Sequence, residues 1–123
     1  MLGPVAMTDA APAPALGNLL RDLPDARGGE VFTAFLRRPG CTVERIVSLG
    51  QTTPVDEPYR QEHDEWVLLL AGHAVVEVAG HATDLHPGDH LLIPGGAVHR
   101  VTHTDPDTPT VWLALHFTDP DRP

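Results

Sequence analysis

Histidine is the residue type that most sets this chain apart: eight of 123 residues are His, and all but His116 lie between His63 and His103. Imidazole titrates near neutral pH and is the commonest transition-metal ligand, so the first question is which rings share a face. His63 stands two residues before Glu65, and Gln61 two before His63. In an extended strand these three side chains point the same way. His99 and His103, four apart, share a face by the same parity. His73, His81, His86 and His90 fall in or beside turns and read as surface residues. Cys41 opens a strand after a turn with no base identifiable beside it, so it does not read as a nucleophile.

The elements that must carry these residues read mostly as strands. Residues 1–15, rich in Ala and Pro, have no periodicity and are expected to form a flexible tail, with one domain over 16–123. Leu16, Leu19, Leu20 and Leu23 have the spacing of one helical stripe, which predicts a short helix ending before Pro24. Beyond it come Val31–Leu36, the turn signal Arg37-Arg38-Pro39-Gly40, and the β-branched run Thr42–Leu49. Residues 52–58 read as a loop. The apolar run after Glu65 is closed by Gly72, a turn is expected at 79–81, and another at His86-Pro87-Gly88-Asp89. Leu91–Ile93 is a short strand ended by Pro94-Gly95-Gly96, and strands over 98–104 and 110–118 flank a Pro- and Asp-rich loop. Many short strands, with 13 Pro and 11 Gly in the chain, predict an all-β sandwich or closed barrel.

One segment carries a spaced motif. Gly88, five residues, Pro94, one residue, Gly96, two residues, His99 resembles the second signature of the cupin superfamily, with His103 where Asn commonly stands. The first signature is partial: Glu65 and Gly72 match its last pair, while Tyr59 and Gln61 (or Pro58 and Arg60 in a longer spacing) occupy the places of its two histidines. The resemblance covers roughly residues 59–103. Asp64–Leu70 and Trp112–His116 also resemble a subgroup of small single-domain cupins with no settled chemistry.

The resemblance implies a double-stranded β-helix, the jelly-roll barrel, preceded here by the expected N-terminal helix. It also implies a divalent metal in the barrel mouth, since cupins with the full pattern use three His and one Glu. Neutral imidazoles with an anionic oxygen suit Fe(II), Mn(II), Ni(II) or Zn(II). The expected ligands are His99 first, then His63 and Glu65, with Gln61 as a neutral oxygen donor and His103 or His116 as a further imidazole. Glu65 is the expected catalytic carboxylate, as ligand or base. Against this stand plainer readings: an interior His99 bonded to backbone, a solvated Glu65 at a strand end, an exposed His63, and packing roles for His103 and His116. Trp66 and Trp112 read as core or dimer anchors.

Composition bounds the partners. Apolar residues at 41% and charged residues at 20% describe a globular chain, and the net charge of −9 repels nucleic acid. No apolar run reaches the roughly 20 residues needed to cross a bilayer. The opening MLGPVAMTDA lacks a basic, then apolar leader pattern, and with a lone cysteine this predicts a cytoplasmic location. A homodimer is expected from the resemblance. Three functions follow: a metal-dependent enzyme of dioxygenase, isomerase or lyase type, a small-ligand binding or sensing module without a tightly held metal, and a structural dimer.

Overall fold

The protein, a computed structural model, is described over residues 12–118. Eight strands follow in chain order: β1 Val31–Arg38, β2 Cys41–Ser48, β3 Asp64–Ala71, β4 Ala74–Val78, β5 His81–Leu85, β6 His90–Ile93, β7 His99–Thr104 and β8 Thr110–Phe117. They form a five-stranded sheet in the order β1-β2-β8-β3-β6 and a three-stranded sheet in the order β5-β4-β7, all antiparallel. This is the jelly-roll barrel.

Its core follows from strand alternation. Along β3, Glu65, Val67 and Leu69 are buried while Trp66, Leu68 and Leu70 are only partly so. Val67, Leu69, Ala74, Val76, Leu85, Ile93, Trp112 and Ala114 form one apolar cluster fed by both sheets. At its edge the Trp112 indole donates to Ser48 Oγ (3.2 Å), and that hydroxyl donates to Glu30 (2.5 Å), so these buried polar groups are paired.

The turns fall where Pro and Gly predict them. Gly40 has φ of 83° after Pro39, and Ala79-Gly80 has φ of 48° and 84°, the paired positive angles of a two-residue hairpin. β5 has little apolar content and becomes a strand because the 79–80 turn folds it back on β4.

The helix expected over 16–23 is not formed, and no helix occurs among the described residues. Asn18 instead closes one turn, accepting from the Leu20 amide through its side chain (2.8 Å) and from the Arg21 amide through its carbonyl (3.2 Å). Asp22 takes φ of 53° and Pro24 cannot continue a helix, so the leucine stripe has no room to propagate. Leu16 is 98% exposed, and the segment packs on β2 through an Arg45 bond to Leu19 O (3.2 Å). Most of the expected tail, residues 1–11, lies outside the described residues. No helix among those described is long and apolar enough to cross a membrane.

Candidate functional site

The two motif segments meet at the barrel end where β3 and β7 begin and β8 finishes. The Pro94-Gly95-Gly96 corner is pinned to the segment ahead of β3. The Gly95 amide donates to Asp64 Oδ1 (2.8 Å), and the Gly96 amide to Gln61 O (2.6 Å). One step further, Tyr59 and His99 form an isolated bridge with reciprocal amide bonds of 2.8 and 2.9 Å. Backbone pairing therefore sets Tyr59, Gln61 and His99 side by side. Glu65 follows as the second residue of β3, turned inward by the same alternation that buries Val67 and Leu69.

These side chains cap a cavity of about 160 Å³. Phe32, Ile46, Val67, Val76, Ile93, Val101 and Trp112 make its apolar walls, and Glu30, Glu44, Tyr59, Gln61, Glu65, His99 and His116 its polar part. Neither Lys nor Arg lines it. Glu65 is 7% exposed and His99 6%. One oxygen of Glu65 accepts from the Gln61 amide (2.7 Å) and lies 3.9 Å from His99 Nε2, while the other lies 4.0 Å from His116 Nε2. His99 Nδ1 contacts Ala97 O at 3.2 Å. A proton on Nδ1 suits that contact and leaves the Nε2 lone pair facing Glu65, the backbone-oriented arrangement common in metal-ligating histidines.

His116 comes from β8, directly across from Glu65 on β3. Its Nε2 meets Glu44 Oε1 at 2.9 Å and its Nδ1 meets His63 Nε2 at 2.9 Å. His63 thus stands behind His116 rather than on the cavity wall. Tyr59 stacks on His99 with ring centroids 5.6 Å apart, and partial burial, then Glu30 and Glu65, push its phenol above the ordinary range.

Of the expected ligands, His99, Glu65, Gln61 and His116 come together, His63 touches the group through His116, and His103 leaves it. The cause is a β-bulge. Against β4, Val76 pairs with Val101 but Val75 pairs with His103, so Thr102 is an extra residue. That insertion reverses the parity linking His103 to His99: Thr104 turns inward and is buried, and His103 is exposed beside His73, ring centroids 5.1 Å apart.

Glu44 and Glu30 escaped the sequence reading. For Glu44 a signal existed, because Glu44 and Ile46 share a strand face and Ile46 packs against the core. Glu30 precedes β1 and had no such pattern.

Chemically, two imidazole nitrogens flanking one carboxylate, with an amide beside it, form a donor set that fits a borderline divalent ion. The same groups without an ion form a hydrogen-bonding rim over an apolar pocket.

The family model of the cupin domain matches residues 45–116. No curated protein matches the chain. Among solved structures, the chain is similar to a protein from Ralstonia eutropha JMP134 provisionally designated a mannose-6-phosphate isomerase. The two are 41% identical, over 86% of this chain and 100% of that one, with a TM-score of 0.82. A Thermus thermophilus protein is similar at 21% identity, covering 85% of this chain and 98% of that one with a TM-score of 0.73. An RmlC-like cupin from Shewanella frigidimarina is similar at 17% identity, covering 79% of this chain and 83% of that one with a TM-score of 0.65. The last two speak to the fold alone.

Proposed function

This chain belongs to the cupin family, and from that premise we propose that its barrel mouth holds a divalent transition metal and converts a small neutral or cationic molecule by proton transfer. One observation carries the reading: a buried carboxylate, Glu65, presents its two oxygens to the Nε2 atoms of His99 and His116 at 3.9 and 4.0 Å. His99, Glu65 and His116 would hold the ion, with the Gln61 amide oxygen as a neutral donor after reorienting. When bound, the ion would act as a Lewis acid on a substrate carbonyl or hydroxyl.

The chain's own residues supply the rest. Gln61 and the Ala97 carbonyl orient Glu65 and His99. Glu65 serves as the anionic ligand, and Glu44, which would be released from His116 Nε2 when that nitrogen takes the ion, is the carboxylate left to move a proton. In the isomerisation of an α-hydroxy carbonyl compound, Glu44 takes the proton from the carbon that bears the hydroxyl and returns it to the former carbonyl carbon, while the hydroxyl proton passes to the former carbonyl oxygen, so no atom is gained or lost. The apolar walls keep bulk water from the exchanging proton. The isomerase designation of the Ralstonia protein supports this class of step. Its phosphate does not transfer: three carboxylates and neither Lys nor Arg line this cavity, and a divalent ion would cancel only two of those charges.

A second reading rests on Tyr59 and Gln61, which replace imidazoles at two motif positions: a ligand-binding module that holds metal weakly or not at all. Metal content of chain purified without a His tag separates the two. We expect His99→Ala to remove the equivalent that the mouth holds and His81→Ala, at an exposed hairpin, to leave the content unchanged. Less than about a tenth of an equivalent in the parent chain, with no uptake on addition, would overturn the metal reading.

The homodimer belongs to the same proposal. β1 is a sheet edge carrying Phe35 and Leu36, both exposed, which suits a second copy as cover.

A further inference from the structure

The outer face of the three-stranded sheet carries a second concentration of ligating groups, separate from the mouth. In its register, Asp84 of β5 and His103 of β7 flank Val75 of β4 from either side. His73 lies two residues before Val75 and His86 two after Asp84, so strand parity gives all four the face opposite to buried Ala74, Val76 and Leu85. His103 joins only because the Thr102 bulge turned it outward.

The distances are those of a chelating group. His73 Nε2 and Asp84 Oδ1 are 2.5 Å apart, and His86 Nε2 is 3.8 Å from Asp84 Oδ2. The His73 ring centroid lies 4.9 Å from that of His86 and 5.1 Å from that of His103. One ligand atom from each of His73, Asp84 and His86 falls within 4.8 Å of the others, and among the described residues no other group of His, Cys, Asp or Glu meets that spacing. The mouth, with its 3.9 and 4.0 Å approaches to two different oxygens of Glu65, does not. Asp89, 3.9 Å from His86 Nδ1, adds negative charge nearby.

We propose that His73, Asp84 and His86, with His103 as a fourth donor, form a second transition-metal site on the outside of the barrel. Several imidazoles with one carboxylate select borderline ions such as Zn(II), Ni(II) or Cu(II). Hard Mg(II) and Ca(II), which want oxygen ligands, are poorly served. The site is open to solvent on one side, which leaves coordination positions for water or an external ligand.

Zn(II) titration of the full untagged chain against a chromogenic chelator tests this. The parent chain should bind one equivalent more than the His73→Ala/His86→Ala chain, and that difference counts the outer site whatever the mouth holds. Asp84→Asn should weaken the outer equivalent by at least about tenfold, and His103→Ala should weaken it without abolishing it. These side chains are at the surface, so circular dichroism should show the variants folded. Equal Zn(II) stoichiometry and affinity in the parent and the His73→Ala/His86→Ala chains would overturn the site. Loss of the mouth equivalent alone, in His99→Ala, bears on the proposed function and not on this one.

Discussion

At Gln61 the chain holds an amide where the family pattern holds an imidazole, and the amide spends its N–H on Glu65 at 2.7 Å. That bond orients the carboxylate but contributes no ring nitrogen to the site. Gln61→His should put an imidazole within reach of the same oxygen. We expect metal affinity in the mouth to rise by at least about tenfold, read by competition with a chelator in the His73→Ala/His86→Ala background. Unchanged affinity would mean that position 61 does not face the ion. His116 illustrates the opposite case. It lies outside the two signature motifs, yet pairing across from Glu65 and contact with Glu44 make it a cavity residue.

Among the elements, the corner between β6 and β7 does the positioning, and its two glycines do so differently. Gly96 has φ of 87° with open space where a Cβ would stand, so its cost on substitution is conformational. At Gly95 a Cβ would strike the Glu62 carbonyl group, which is backbone and cannot swing aside. Gly96→Val should cost about 1–2 kcal/mol. Gly95→Ala should cost about 1–3 kcal/mol from overpacking and also lower metal content, because relief of the clash parts His99 from Gln61. Denaturant unfolding and metal analysis of both variants check this; Gly95→Ala with parental stability and metal content would show that the corner yields freely. The β7 bulge acts at the same scale, since one extra residue decides whether His103 faces the cavity or the solvent.

For the molecule as a whole, charge sets the selectivity. The net charge of −9 is repeated within the cavity, where Glu30, Glu44 and Glu65 meet no Lys or Arg. A phosphate dianion entering that pocket faces like charge in a low-dielectric setting. A neutral monosaccharide should therefore bind more tightly than its phosphate ester, and the gap should narrow as salt is raised. Calorimetric titration of both at two ionic strengths checks this. Tighter binding of the ester would point to a phosphate site elsewhere and count against the substrate class argued above.

Local signals were legible in the chain alone. Alternating strands, Pro-Gly turns and the Gly88–Pro94–Gly96–His99 spacing act over a few bonds, so they announced an all-β barrel and an inward His99 without knowledge of the neighbours. The leucine stripe at 16–23 was misleading because helix formation there competes with an Asn18 turn and with packing on β2, which no periodicity reports. Glu44 became visible only in three dimensions, as did the choice of His116 over His103 as the second imidazole: Glu44 and His116 arrive from strands whose partners are chosen by the closing of the barrel. Folding also sorted the histidines into an inner pair, His99 and His116, and an outer trio, His73, His86 and His103. Neighbours in the chain part company there because parity is a property of uninterrupted pairing, and the Thr102 bulge interrupts it.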